Sequence, residues 1–256
     1  MPEGDTIHLA ATRLHAALAG DALTRSDLRV PRLATTDLAG RTIENVRARG
    51  KHVLMRLDGG LTLHSHLRME GAWHLYRAGE AWRGGPDWQV RAVLQTASWR
   101  AVGYRLPVLA LFPTADEPQH VGHLGPDPLG DDWDADEALR RLLADPERTI
   151  SEALLDQRVI AGIGNVWRCE LCFLRGLDPW MAVGAVRDPA RLVDLVKRAF
   201  EVNRGTGNHI TTGDPRAPHY VYGREGRPCR RCRSPVSRRD GERVTYWCSS
   251  CQPARR

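Results

Sequence analysis

Hydrophobic spacing divides the chain into an N-terminal helix, a run of short strands and a helical second half. Over residues 5–19 apolar side chains recur at helical intervals, with Asp5 as the expected N-cap and Gly20 as the stop. From about 23 to 112 the period becomes two, in short runs separated by glycine-rich turns, and Asp58-Gly59 is a strong hairpin signal. This spacing predicts an antiparallel β-sandwich or barrel.

The second half begins with a segment rich in glycine and proline. Residues 125–130 (Gly-Pro-Asp-Pro-Leu-Gly) are typical of a linker and predict a domain boundary. Beyond it, Thr149 and Glu152 have the spacing of a capping box that opens a short helix through Leu155. A second helix is expected to follow Asn165.

That second helix should end near Gly176, and a third is predicted over about 189–203. The expected fold class is α+β. We expect a β-sandwich domain over 1–123, a helical domain over 124–222 and a separate small domain over 223–256.

Charge indicates an anionic partner. The net charge of the 256 residues is +6, and residues 223–256 hold ten arginines against three acidic residues, as a nucleic-acid-binding tail would. Among 37 basic residues only Lys51 and Lys197 are lysines, which makes Lys51 a residue to follow. A basic protein without such a partner would have the same overall charge.

The chain has no apolar run of the roughly 20 residues that a membrane span needs, and its start lacks the apolar core of a signal peptide. We therefore expect a cytoplasmic protein that does not contact a membrane.

The six cysteines suit a reducing compartment and a metal site. Cys229-x2-Cys232 and Cys248-x2-Cys251 are separated by fifteen residues, a spacing typical of a closed site with four thiolates around one structural zinc ion. Cys169 and Cys172 are also separated by two intervening residues, but no second cysteine pair is near in the sequence. Buried thiols are therefore the better interpretation.

Two further patterns carry chemistry. A Gly-x-Gly-Asn turn at 162–165 opens a helix, and N–H groups at a helix start are a natural seat for a phosphate. The chain begins Met1-Pro2-Glu3; once Met1 is removed, Pro2 becomes a secondary amine that is partly unprotonated at neutral pH. Such an amine can form an iminium with a sugar carbon, and the adjacent Glu3 can move protons.

Together these segments resemble the family of formamidopyrimidine-DNA glycosylase and endonuclease VIII. The resemblance runs nearly end to end and favours the endonuclease VIII branch. It is carried by Pro2-Glu3-Gly4-Asp5-Thr6-Ile7, Arg49-Gly50-Lys51-His52, His64-Ser65-His66-Leu67-Arg68-Met69, Gly125-Pro126-Asp127, Leu154-Leu155-Asp156-Gln157, Ala161-Gly162-Ile163-Gly164-Asn165 and Arg243-Val244-Thr245-Tyr246-Trp247-Cys248.

The resemblance implies a role for each matching residue. Pro2 would be the Schiff-base nucleophile, Glu3 the proton donor, and Lys51 would assist β-elimination. Arg243, in the zinc finger, would grip phosphate and support δ-elimination. Phosphate contacts would come from Gly164 and Asn165 of a helix–two-turns–helix motif, while Arg68 and Met69 would fill the void left by the extruded base.

The sequence therefore predicts a monomeric bifunctional DNA glycosylase and AP lyase that acts on damaged double-stranded DNA without a small-molecule cofactor. Oxidised pyrimidines are the expected substrates, with oxidised purines as the alternative, because Glu70 stands where endonuclease VIII has an aromatic residue. An alternative of another class is a damaged-DNA-binding zinc protein without catalysis. A zinc-ribbon RNA-binding factor would explain the tail but not the N-terminus.

Overall fold

A computed structural model describes residues 2–254 and resolves helices at both ends of a strand-rich region. The predicted loss of Met1 concerns a residue outside this range. The helices are α1 (Gly4–Leu18), α2 (Glu117–Val121), α3 (Ala135–Leu143), α4 (Ile150–Leu155), α5 (Asn165–Arg175) and α6 (Pro189–Asn203). The strands are β1 (Arg25–Leu28), β2 (Ile43–Arg49), β3 (His52–Leu57), β4 (Leu61–His66), β5 (Ala72–Arg77), β6 (Val90–Gln95), β7 (Trp99–Tyr104), β8 (Val108–Pro113), β9 (Ser237–Arg239) and β10 (Thr245–Trp247).

The chain divides into two compact units. Pro2 and residues 7–123 form the N-terminal unit, and residues 3–6 with 124–254 form the C-terminal unit. The first turn of α1 thus belongs to a different unit from the rest of that helix. The fold is mixed α+β, as predicted.

The N-terminal unit is an antiparallel β-sandwich. One sheet has the order β2-β3-β4-β8 and the other β1-β6-β7-β5. The predicted hairpin joins β3 to β4, with Leu57 opposite Leu61 and with Gly59 and Gly60 at φ of 71° and 70°, values that glycine tolerates best. The core lies between the sheets and one face of α1; that face consists of Ile7, Ala11, Leu14, Ala17 and Leu18.

The C-terminal unit is mainly helical. The capping box is present, since the Thr149 side chain accepts from the N–H of Glu152 and the Glu152 side chain accepts from that of Thr149. Helix α5 ends at Arg175 and is capped by Gly176, whose φ of 65° is left-handed. The core is built around Trp167 and Phe200, which are fully buried. The three predicted helices are confirmed.

The glycine- and proline-rich segment differs from its prediction. Residues 124–128 are buried in the C-terminal unit rather than exposed as a linker. Their backbone is paired, because the N–H of Gly125 donates to Gln157 and the carbonyl of Pro126 accepts from Ala161. A segment with satisfied backbone groups can be buried whatever its composition.

Strands β9 and β10 form the hairpin of the C-terminal tail, with Tyr246 opposite Arg238. Tyr246 and Trp247 are half-buried, and Trp247 packs edge-on against Trp180 with ring centroids 4.7 Å apart. Among residues 2–254, no helix is both long and apolar enough to cross a membrane.

Candidate active site

Glu3 is fully buried at the start of helix α5. Its carboxylate accepts hydrogen bonds from the backbone N–H groups of Gly164 (2.9 Å), Val166 (2.8 Å) and Trp167 (3.2 Å). Donors at a helix start, together with the helix dipole, stabilise a negative charge. These donors therefore hold a carboxylate of the chain itself, and a phosphate seat at this turn stays a prediction.

Gly164 is required by this arrangement. A Cβ atom added at Gly164 would lie 2.4 Å from Cδ of Glu3, which is closer than any side chain tolerates. Gly4 is equally confined, because its added Cβ would lie 2.8 Å from Cα of Gly162. The glycines of both motifs thus allow the chain start and the turn at 162–165 to touch.

Asp5 was predicted to be the N-cap of helix α1, and the structure shows that it is not. The helix begins one residue earlier, at Gly4, so Asp5 lies inside its first turn. The Asp5 carboxylate turns to side chains instead, and it accepts from the indole Nε1 of Trp167 at 3.2 Å and lies 2.7 Å from Nδ1 of His209.

Asn165 fastens α5 to the tail that carries Arg243. Nδ2 of Asn165 donates to the carbonyl of Val244 at 2.8 Å, and the buried guanidinium of Arg168 donates to the same carbonyl at 3.0 Å and to Oδ1 of Asn165 at 2.6 Å. Arg243 precedes Val244 and is exposed. The structure thus brings Glu3, Gly164, Asn165 and Arg243 together in the C-terminal unit.

Lys51 lies in the N-terminal unit, in the tight turn between β2 and β3. Gly50 before it has a φ of 57°, and the turn sets Arg49 opposite His52. Burial lowers the pKa of His66 to about 4, together with the positive charges of Lys51 and Arg68. The lysine therefore lies beside a neutral imidazole.

Arg68 and Met69 lie in the turn after β4, in the same unit. Both are exposed, and Met69 keeps 65% of its surface in contact with solvent. The turn is well defined, because the N–H of Arg68 donates to Nδ1 of His66 and that of Gly71 donates to the carbonyl of Leu67. An exposed methionine on an ordered turn suits insertion into a base stack.

The four cysteines of the tail form one cluster. The Sγ atoms of Cys229, Cys232, Cys248 and Cys251 lie within 4.8 Å of one another. Sγ of Cys229 lies 3.9 Å from that of Cys251, and Sγ of Cys232 lies 3.4 Å from that of Cys248. Both separations are near the edge, about 3.8 Å, of a tetrahedron with zinc–sulfur bonds of about 2.3 Å. The donor set fits a metal ion that takes thiolate ligands.

Cys169 and Cys172 are buried thiols in helix α5, as predicted. Burial raises the pKa of Cys172 to about 12 and also raises that of Cys169. Thiols in this state are poor nucleophiles and poor metal ligands.

Glu170 and Tyr222 are not among the site residues predicted from the sequence. The buried carboxylate of Glu170 accepts from the N–H groups of Tyr220, Val221 and Tyr222, and from the Thr211 hydroxyl at 2.5 Å. Burial and the nearby Glu3 carboxylate raise the pKa of Tyr222. A buried acid in an otherwise apolar stretch of α5 is the one hint that could have drawn attention to Glu170.

Family models match most of the chain. Residues 1–105 match the formamidopyrimidine-DNA glycosylase N-terminal domain, and residues 124–205 match the formamidopyrimidine-DNA glycosylase H2TH domain. The chain belongs to the formamidopyrimidine-DNA glycosylase family. Within it, the chain is similar to proteins named for endonuclease VIII, which confirms the predicted branch.

Two curated relatives cover nearly the whole chain. "Probable endonuclease 8 2" of Streptomyces coelicolor is 56% identical, over 98% of this chain and 94% of that protein. "DNA-(apurinic or apyrimidinic site) lyase Nei2" of Mycolicibacterium smegmatis is 47% identical, over 99% of this chain and all of that protein.

Solved structures share the fold. The Lactococcus lactis formamidopyrimidine-DNA glycosylase bound to DNA with an AP site superposes with a TM-score of 0.83 at 22% identity, over 98% of this chain and 100% of that chain. The same enzyme bound to DNA containing N7-benzyl-Fapy-dG also gives 0.83 at 22% identity, over 99% and 100%.

Proposed function

We propose that the chain is a bifunctional DNA glycosylase and AP lyase of base excision repair, acting on damaged double-stranded DNA. The observation that carries the proposal is the position of the Glu3 carboxylate. Glu3 directly follows Pro2 in the chain, and its buried carboxylate is held by backbone N–H groups at the start of α5. A secondary amine beside a fixed carboxylate is what Schiff-base chemistry on a deoxyribose requires. The relatives named as endonuclease 8 and as an AP lyase support the same reaction.

The first steps follow from these two residues. The amine nitrogen of Pro2 attacks the anomeric carbon of the damaged nucleotide, and the bond from that carbon to the base breaks. The base leaves with the bonding electron pair and takes a proton from water. The proton on the amine passes to Glu3, and Glu3 delivers it to the ring oxygen of the sugar as the ring opens. The product is an iminium between Pro2 and the opened sugar.

The remaining residues act on the strand. In the proposal Lys51 assists β-elimination, Asn165 holds backbone phosphate near the lesion, and Arg243 grips phosphate and supports δ-elimination. Arg68 and Met69 occupy the space left by the extruded nucleotide, which costs a few kcal/mol to unstack. Contacts to phosphate position a duplex without reading its sequence, as a search for damage requires.

We propose zinc as the metal of the four-cysteine cluster. With all four positions filled by protein, it supplies structural support and no reaction chemistry. We further propose the domain division 1–123, 124–222 and 223–256, a monomeric state, no small-molecule cofactor and a cytoplasmic location. The preferred substrates are oxidised pyrimidines.

Borohydride trapping on an abasic duplex tests the reaction. Wild-type protein should give a covalent complex, and the double variant Pro2→Gly, Lys51→Ala should give much less. Undiminished trapping by the double variant would contradict the assignment, and so would intact Met1 in the mass of the active protein. Absence of any trapped complex with wild type would favour the binding-only alternative.

A lesion panel tests the preference. Turnover on a duplex with a ring-saturated pyrimidine should exceed turnover on a duplex with 8-oxoguanine. The reverse order would make the chain an oxidised-purine glycosylase.

A further inference from the structure

The first turn of helix α1 is fastened to the C-terminal unit by a buried side-chain network. Asp5 is fully buried, and its Oδ2 lies 2.7 Å from Nδ1 of His209 while its Oδ1 accepts from Nε1 of Trp167 at 3.2 Å. The N–H of Gly4 donates to the carbonyl of Gly162 at 2.9 Å. None of these contacts uses Pro2 or the carboxylate of Glu3.

Trp167 joins this network to the proposed catalytic carboxylate. Its backbone N–H donates to Glu3 and its indole N–H donates to Asp5, so one residue holds both acids. The indole is fully buried, with its centroid 5.0 Å from that of Phe200 and 5.8 Å from that of His209. An indole packed on both sides keeps its orientation, and this holds its N–H on the Asp5 carboxylate.

His209 is presented by a loop with an unusual backbone. Its φ of 50° lies in the left-handed region, which is uncommon outside glycine, although asparagine, aspartate and histidine adopt it more often than other residues do. The loop is held there, because the buried Asn203 side chain accepts from the N–H of Ile210 at 2.6 Å. Backbone strain of this kind persists where the surroundings enforce it and is concentrated at functional sites.

We propose that Asp5, His209 and Trp167 are positioning residues, which fix the first turn of α1 so that Pro2 and Glu3 hold their reactive geometry. The inference rests on the proposed function. Pro2 immediately precedes this turn, so the direction of the turn sets the direction of its amine. Fixed geometry of a nucleophile contributes greatly to rate, and small displacements can cost roughly 100-fold.

Two variants of His209 distinguish a positioning role from a general contribution to the stability of the fold. His209→Ala removes the partner of Asp5, whereas His209→Asn keeps a donor at the position of Nδ1 and tolerates the positive φ. Two quantities are measured on each protein: the single-turnover rate of strand cleavage at an abasic site, and the Kd for a duplex carrying a non-cleavable tetrahydrofuran analogue.

For His209→Ala we expect the single-turnover rate to fall by at least about tenfold while the Kd stays within about twofold. His209→Asn should recover most of the rate. If His209→Ala does not fold, Asp5→Asn replaces it, since it keeps the shape of the side chain and removes the charge; a smaller loss of rate at unchanged Kd is expected.

The matched control is Glu117→Gln in the N-terminal unit. Glu117 is also a buried carboxylate, held by Arg47, Arg56 and Thr62, and it has no part in the proposed chemistry. Its variant should melt at a lower temperature yet cleave at the wild-type rate.

Three results would overturn positioning: an unchanged rate in folded His209→Ala or Asp5→Asn, equal losses in His209→Ala and His209→Asn, or an equal loss in Glu117→Gln. Each leaves the proposed function intact as long as wild type forms the trapped complex. Failure of wild type to trap would instead refute the proposed function.

Discussion

Acidification should destabilise this protein through a cluster of three histidines in the β-sandwich, of which His64 is buried and His52 and His66 are half-buried. Burial, together with neighbouring positive charge, lowers the pKa of His52 to about 3 and that of His64 and His66 to about 4. Nδ1 of His52 faces Nε2 of His64 at 2.8 Å, a contact that two protonated rings could not keep. All three side chains are therefore neutral in the folded protein near neutral pH.

The sign and size follow from the difference in proton binding. An unfolded chain protonates these histidines near their ordinary pKa of 6.5, and the folded chain does so only near 3 to 4. Between these values the unfolded state binds more protons, so the free energy of unfolding falls as pH falls. From about pH 7.5 to about pH 5.5 the free energy of unfolding falls by roughly 1 kcal/mol for each histidine, or on the order of 3 kcal/mol for the three.

Thermal melting of the DNA-free protein at these two pH values measures the loss in the free energy of unfolding. For a chain of this length 1 kcal/mol shifts the melting temperature by roughly 2–4 °C, so wild type should melt about 6–12 °C lower at the acidic pH. The variant His52→Asn, His64→Gln places amides where the two facing ring nitrogens lie and cannot titrate. Of the loss that the three histidines cause, it should keep only about a third, because His66 alone still titrates.

The comparison of the two proteins isolates the histidines. Acid also weakens metal binding at the cysteines and protonates other groups, but these effects are common to both proteins. Equal falls in melting temperature for wild type and variant would refute the reasoning.

Three other contacts predict measurable losses. Gly164→Ala should slow single-turnover cleavage roughly 10- to 100-fold, because its Cβ would displace the Glu3 carboxylate; a wild-type rate would contradict this. Glu170→Gln should lower the free energy of unfolding by roughly 1–3 kcal/mol in urea titrations, since three backbone N–H groups lose a charged acceptor; an unchanged midpoint would argue against it. Cys232→Ser should bind less than one metal ion per chain by elemental analysis and should melt at a lower temperature, whereas full metal content would exclude a four-thiolate site.

Features encoded by neighbouring residues could be predicted from the sequence. The capping box at Thr149, the hairpin at Asp58-Gly59 and the two cysteine pairs each depend on a few residues whose spacing fixes a local geometry. The helix bounds and the alternating strands of the sandwich follow in the same way from hydrophobic period.

Features that depend on distant partners could not be predicted. Asp5 has the composition of an N-cap, but a histidine 204 residues away competes for its carboxylate. The turn before Asn165 has the donors of a phosphate seat, yet Glu3 occupies them from the other end of the chain. Residues 125–128 have the composition of a linker and are buried because other segments satisfy their backbone.

The separation of Asp5 from His209 also bears on the order of events during synthesis. At roughly 5–20 residues per second, a ribosome needs on the order of 10–40 s to make the 204 residues between them. Residues 7–123 can fold in milliseconds to seconds once they emerge, so the body of α1 can dock on its sandwich long before its first turn finds a partner. Until then Glu3 and Asp5 remain hydrated. The earliest residues to leave the ribosome are thus among the last to reach their native contacts, and a nascent chain that lacks the His209 loop lacks the contact between Asp5 and His209.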